Sequence, residues 1–341
     1  MEIETNPPTQ ETNSNSQHSN LRTRFIAALL FAIPFAVLML TYPTTNEPRK
    51  NNTGEIAKIK EPFPAVDIIA KAAYAWDIEN QKVIYAKNES EPLPLASLAK
   101  VMTALVAWEG RGDYEKIKIT SDSIRQEGDS GLKNEEKWRL KDLIDFSLVT
   151  SSNDGIYAVA SAIESVGHSS TTIETAGEQE NEPSAESSRE KFIDLMNKKA
   201  KDISLNQTFY LNETGLDSSD NVSGGYGSAE DMAKLFSHII KNNPEILEAT
   251  AYDEIELVSL DEIDHKAKNT NEITGEIPSL IASKTGYTEF SGGNLIVAFD
   301  LGLMRPIVIS VLGSTREGRF EDMKKIIEAT VDYLTDRNAE N

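Results

Sequence analysis

Apolar positions change their period several times along the chain, and each change predicts an element. Residues 72–78 and 82–87 read as two strands of a hairpin around Glu79-Asn80-Gln81. Residues 97–109 place Val101, Leu105 and Val106 on one face of a helix. Two more helices are expected over 140–150 and 153–166. A helix resumes near Glu190, carrying Phe192, Leu195, Met196 and Ala200. Ser228-Ala-Glu-Asp231 has the spacing of a capped start, and its helix runs to about Lys241, stopped before Pro244. Strands are expected at 278–284, 293–300 and 306–313. The last helix, 319–335, repeats Met323, Ile326, Ile327, Val331 and Leu334 at helical spacing. No internal repeat is present.

Several segments break this pattern. Residues 1–24 are mostly polar and read as a disordered tail. Residues 25–43, FIAALLFAIPFAVLMLTYP, are almost wholly apolar. At about 1.5 Å per helical residue they nearly cross a hydrocarbon core of roughly 30 Å. Arg22 and Arg24 precede them, which favours a cytoplasmic N-terminus, and the expected reading is an uncleaved, single-pass signal anchor. A cleaved signal peptide is the competing reading, although Thr41-Tyr-Pro-Thr-Thr offers no good cleavage site. A buried soluble helix is the third. Residues 44–64 read as a linker, 65–335 as the folded catalytic domain and 336–341 as a tail. Within the domain, 168–190 is rich in Ser, Thr, Glu and Gly and reads as an exposed, disordered insertion.

Charge and composition narrow the function. A formal net charge of -21 argues against nucleic acid as a partner, since phosphate binding needs basic surface. There is no cysteine, so disulfides, thiolate metal sites and a cysteine nucleophile are excluded. No HExxH, P-loop or GxGxxG occurs, and neither a metal nor a nucleotide cofactor is expected. His18, His168, His238 and His265 accompany no G-x-S-x-G elbow, so no Ser-His-Asp site is indicated.

Three short motifs carry the candidate chemistry: Ser97-Leu-Ala-Lys100, Ser151-Ser-Asn153 and Lys284-Thr285-Gly286. Each is common alone; their order and context together mark serine acyl-transferases that use lysine as base. At a helix start, residues three apart share a face, so Ser97 and Lys100 would point into one cleft. Lys100 can take a proton only when neutral, which burial and a second cation such as Lys284 would favour. Read blandly, Ser97 caps a helix and Lys100 is solvated. Ser151 can relay a proton and Asn153 can bind a substrate amide from the corner between two helices. The bland reading of both is turn and cap residues, and the two are compatible. Thr285 offers a hydroxyl to a substrate carboxylate, and Gly286 permits close approach of a ligand.

With these motifs the chain resembles the penicillin-binding D-alanyl-D-alanine carboxypeptidases, the low-molecular-mass serine peptidases of bacterial cell walls. The resemblance spans roughly 65–335 and includes Met196-Asn197-Lys-Lys-Ala200, Asn212-Glu-Thr-Gly215-Leu216-Asp217, Tyr226-Gly-Ser228-Ala229 and Gly292 with Asn294. It implies an α/β (α+β) fold of β-lactamase/DD-peptidase type. An antiparallel sheet with flanking helices would face a mostly helical subdomain across the catalytic cleft. It implies Ser97 as nucleophile, Lys100 as base, and Ser151, Asn153 and Lys284 assisting. Thr285, Gly286, Tyr287 and Arg319 would bind substrate, with the N–H groups of Ser97 and Tyr287 as oxyanion hole.

Peptidoglycan stem peptides are the implied partner and β-lactams the implied covalent inhibitors. The implied location is the bacterial cytoplasmic membrane, with the catalytic domain outside and residues 25–43 as anchor. Two residues depart from the family pattern: Ser152 replaces a usual Gly, and Ala99 a frequent Thr. A DD-endopeptidase, a β-lactamase or a non-catalytic cell-wall-binding protein are the alternative functions. A β-lactamase would need a Glu to activate the deacylating water, and no Glu-x-x-Leu-Asn lies between Asn153 and Lys284.

Overall fold

The hairpin forms as expected: β1 (Ala72–Asp77) and β2 (Lys82–Lys87) pair antiparallel, and the Asp77 carboxylate accepts the Asn80 N–H at 2.9 Å to close the turn. The computed structural model describes residues 62–111, 115–164, 185–302 and 304–339. Next come β3 (Leu93–Pro94), a 3-10 turn at Ala96–Leu98, α1 (Ala99–Arg111), β4 (Lys116–Lys118) and β5 (Lys137–Arg139). Then follow α2 (Leu140–Thr150), α3 (Asn153–Glu164), α4 (Ala185–Asp202), β6 (Phe209–Tyr210), β7 (Gly225–Gly227) and α5 (Ala229–Asn242). The chain continues with β8 (Glu254–Val258), β9 (Asp264–Lys268), β10 (Leu280–Thr288), β11 (Gly292–Asp300), β12 (Pro306–Ser314) and α6 (Gly318–Ala339).

The main sheet has five antiparallel strands in the order β10-β11-β12-β1-β2. Its inner strands β11, β12 and β1 read as nearly continuous apolar runs because both faces are covered. Leu295, Val297, Phe299, Ile307, Ile309 and Val311 point to one face, with Met323 and Ile326 of α6 in the same core. Ile296, Ala298, Val308 and Leu312 point to the other, into a core shared with Met232 and Phe236 of α5. That second core runs on without a break into the helical part, through Leu98, Met102 and Leu105 of the α1 region, Phe146 of α2 and Ile156 of α3. Each core therefore receives alternate side chains of one strand, the period-2 rule of a pleated sheet.

β10 is an edge strand of this sheet, and its Lys284-Thr285-Gly286 segment packs against the Ala96–Leu98 turn. The turn between α2 and α3 closes the same region. The fold is thus the expected antiparallel sheet with flanking helices and a helical part beside it. Three smaller sheets, β3-β7-β6, β4-β5 and β8-β9, complete it.

Several expectations change. The helix expected from Ser97 begins two residues later, because Ala96–Leu98 winds as a tighter 3-10 turn. The helix expected near Glu190 begins at Ala185, inside the segment read as an insertion. Residues 168–184 of that segment, the tail 1–24, the apolar run 25–43 and most of the linker 44–64 lie outside the described residues.

The single-pass membrane location is corrected: among the described residues no helix is long and apolar enough to cross a membrane. The longest, α6, has 22 residues but interrupts its apolar stripe with Glu321, Asp322, Lys324 and Lys325. Those charges suit a helix lying on a sheet, not one surrounded by hydrocarbon.

Candidate active site

Lys100 lies in the first turn of α1, completely buried, and its amine donates to Ser97 Oγ at 2.8 Å. Its second partner is the Thr214 carbonyl, also at 2.8 Å. Burial pushes the Lys100 amine down from its usual value to about 7, against the upward pull of Glu213. At neutral pH a large share of Lys100 is therefore neutral, with a lone pair beside the serine hydroxyl. The reading of Lys100 as a solvated surface lysine is thereby excluded.

The backbone around Ser97 is held by named contacts. Ala96, just before it, takes φ 48°, a left-handed conformation that a non-glycine residue adopts at some cost. Asn294 of β11, fully buried, donates to the Pro94 and Leu95 carbonyls, each at 3.0 Å, and accepts the Gly313 N–H at 2.8 Å. A single side chain thereby ties the main sheet to the chain entering the Ser97 turn. Gly286 of β10 presses against that turn: a Cβ there would lie 2.7 Å from the Leu95 oxygen and 3.3 Å from the Ser97 nitrogen. Glycine is required at this position by close approach, but of the chain's own Ser97 turn and not, as the sequence reading expected, of a ligand.

Lys284 reaches across from β10 to the α2–α3 corner. Its amine donates to Ser151 Oγ at 2.8 Å and to the Thr285 carbonyl at 2.9 Å. Burial, then the nearby Lys100 and Arg319 charges, hold the Lys284 amine well below its ordinary value. Ser151 closes α2 with φ 61° and ψ 30°, a second strained non-glycine residue in the site.

Asn153 opens α3. Its Nδ2 donates to the Glu127 carbonyl at 2.6 Å, while its Oδ1 is buried with no hydrogen-bond partner. Ser152, the departure from the family glycine, caps α3: its Oγ accepts the Gly155 N–H at 2.9 Å and bonds Ser130 Oγ at 2.8 Å.

The remaining expected residues are placed as follows. Thr285 is buried and its hydroxyl pairs with Thr270 Oγ1 at 2.6 Å. Tyr287 donates its hydroxyl to Glu289 at 2.7 Å, and Arg316 lies over its ring. Arg319, near the start of α6, is buried and donates to the Gly286 carbonyl at 2.9 Å. So Arg319 braces the strand end carrying Lys284-Thr285-Gly286. Two residues that sequence reasoning left without a role belong to the site: Thr214, through its carbonyl, and Asn294. Both lay in stretches noted as family-like, but a backbone acceptor and a long-range tether leave no local signature.

Among the described residues no group of three or more His, Asp or Glu side chains could hold a metal ion. The arrangement can activate a serine hydroxyl from one side and pass a proton from the other, through two serine–lysine pairs.

Known proteins similar to this chain place it in a family. The chain is 29% identical over 266 residues to the D-alanyl-D-alanine carboxypeptidase DacF of Bacillus subtilis, covering 76% of this chain and 61% of that one. It is 28% identical over 277 residues to DacC of Escherichia coli, covering 77% of this chain and 61% of that one. It therefore spans less than two thirds of the length of these two relatives. The structure superposes on penicillin-binding protein D2 of Listeria monocytogenes in its cefotaxime-bound form with a TM-score of 0.61 and 24% identity, covering 78% of this chain and 99% of that one. The profile of the D-alanyl-D-alanine carboxypeptidase family matches residues 57–172 and 184–315. With Ser97 on Lys100 and Ser151 on Lys284 inside those spans, the chain belongs to the D-alanyl-D-alanine carboxypeptidase family.

Proposed function

We propose that this chain is a serine-type D-Ala-D-Ala carboxypeptidase that removes the terminal D-alanine of peptidoglycan stem peptides through an acyl-enzyme on Ser97, with the catalytic domain over 65–335. The observation that carries the reading is the fully buried Lys100 amine, held down to about 7 and 2.8 Å from Ser97 Oγ. Neutral Lys100 takes the Ser97 proton as the hydroxyl attacks the penultimate carbonyl. The oxygen that becomes negative lies at the N–H groups of Ser97 and Tyr287. The proton returns to the leaving D-alanine amine through Ser151, which Lys284 holds. Asn153, in the same corner as Ser151, binds a substrate backbone amide. Lys284, Thr285 and Arg319 supply positive charge and a hydroxyl for the terminal carboxylate, and Gly286 lets the strand that carries Lys284 and Thr285 lie against the Ser97 turn. Water then frees Ser97.

β-Lactams would acylate the same serine, which the cefotaxime-bound Listeria structure supports by analogy. The β-lactamase reading is disfavoured by one further observation. Glu213, the carboxylate whose charge reaches Lys100, has both oxygens engaged by Arg189 at 2.9 and 3.0 Å, which ties up the group that a water-activating base would need free.

The test is release of free D-alanine from a stem pentapeptide ending in D-Ala-D-Ala. The protein should release it and Ser97→Ala should not. A folded protein that releases none, or a Ser97→Ala variant that still does, overturns the reading.

A further inference from the structure

The mechanism above uses Glu213 only as a neighbour, yet the residue is built into the structure with care. Its side chain is 1% exposed, and its carboxylate takes two hydrogen bonds from Arg189, Nε to Oε2 at 3.0 Å and Nη2 to Oε1 at 2.9 Å. A bidentate guanidinium–carboxylate pair fixes orientation as well as charge. The Glu213 backbone carbonyl accepts the Thr103 hydroxyl of α1 at 2.7 Å, one helical turn past Lys100. The next carbonyl, Thr214, is the one that Lys100 donates to. Asn212 closes the same loop by accepting the Gly215 N–H at 2.7 Å. Arg189 comes from α4 and also lies over the Tyr157 ring of α3 at 5.5 Å.

We propose that the Arg189–Glu213 pair is a positioning device for the general base: it fixes the 212–215 loop so that the Thr214 carbonyl meets the Lys100 amine, and Arg189 offsets the Glu213 charge at that amine. The inference rests on Lys100 acting as the base toward Ser97. The charged groups facing Lys100 among the described residues are Glu213 from the loop and Lys284 from β10. They oppose each other, Glu213 favouring the protonated amine and Lys284 the neutral one. Arg189 shifts that balance without touching the reacting atoms. A buried carboxylate so near the base is otherwise a liability, since it would keep Lys100 protonated.

The pair predicts opposite displacements of one pH profile. The rate of Ser97 labelling by a fluorescent penicillin is measured from pH 5.5 to 9.5, roughly bracketing the Lys100 titration. Glu213→Gln removes the charge that favours protonated Lys100, so the rising limb moves to lower pH. Arg189→Gln exposes that charge, so the limb moves to higher pH, by on the order of one unit. Arg189→Lys restores the limb toward the parental position. Glu213→Gln keeps the shape but only one acceptor oxygen, its NH2 facing the other Arg189 N–H, so the position of its limb, read beside its melting temperature, decides the matter if Arg189→Gln does not fold. If the variants lose rate or melting temperature with the limb unmoved, the pair is structural only and the inference is overturned. A parental protein that shows no labelling of Ser97 at any pH overturns the acyl-enzyme reading, and this inference with it.

Discussion

Replacing Lys100 by Met should abolish acylation and yet stabilise the protein at neutral pH. A lysine in an unfolded chain titrates near 10.5, whereas the folded environment holds Lys100 at about 7. Between those values the unfolded chain binds more protons than the folded one, so stability rises with pH across that window and is lowest at its acidic end. The difference, 10.5 − 7, is about 3.5 units. At about 1.4 kcal/mol per unit it corresponds to on the order of 4 to 5 kcal/mol forgone at and below pH 7. Methionine is a near-isostere of the lysine stem and removes that term. It also leaves the buried Thr214 carbonyl without its donor, which costs about 1–3 kcal/mol. The net gain at pH 7 is therefore about 1–4 kcal/mol, a rise in Tm of several degrees. The gain should shrink as pH rises toward 10, because the parental protein recovers its lysine term while the variant still lacks the hydrogen bond. Scanning calorimetry of both proteins at pH 7, 8, 9 and 10 reads this directly. A variant that melts below the parent at pH 7, or a difference that does not change with pH, would refute burial as the cause of the depressed lysine.

Three further outcomes are expected. Asn294→Ala removes three hydrogen bonds in a fully buried place and should cost roughly 3 kcal/mol in thermal unfolding; it should also slow penicillin labelling, and a neutral effect would mean the tether is dispensable. Gly215→Ala should be worse for activity than for solubility, because its Cβ would fall 1.9 Å from the Ala96 oxygen at φ +78°, displacing the residue beside the nucleophile; labelling within a few-fold of parental would contradict the reading. In the parental protein the labelling rate should climb with pH through about 7 as Lys100 loses its proton; a rate falling with pH across that range would mean that the protonated amine is the active form.

The candidate catalytic groups were legible in the sequence because each motif is chain-local. Ser97 and Lys100 are three residues apart, and a single helical turn brings them together. The pairing of Ser151 with Lys284, 133 residues apart, was not readable from spacing; only the resemblance joined them. α6 was legible because its apolar residues keep a helical period, and β11 and β12 because each carries an almost unbroken apolar stretch. The 3-10 turn at Ala96–Leu98 was not, because the helical pattern continues through it and the tighter winding depends on Gly286 and Asn294. β3, β6 and β7 have two or three residues each, too few to establish any period. The role of Ser152 was hidden for another reason: its bond to Ser130 joins positions 22 residues apart. The apolar run 25–43 pointed to a membrane span, but hydropathy reports only what a segment could do.

The central claim is that a buried, weakly basic Lys100 makes Ser97 the nucleophile of an acyl-enzyme. Intact-mass spectrometry after incubation with benzylpenicillin tests it most directly. One persistent penicilloyl adduct should form, located on Ser97 by peptide mapping, and it should be absent from Ser97→Ala. An adduct that persists in Ser97→Ala would move the nucleophile elsewhere. Rapid loss of the adduct with continuing hydrolysis of the antibiotic would contradict the carboxypeptidase reading and make the chain a β-lactamase.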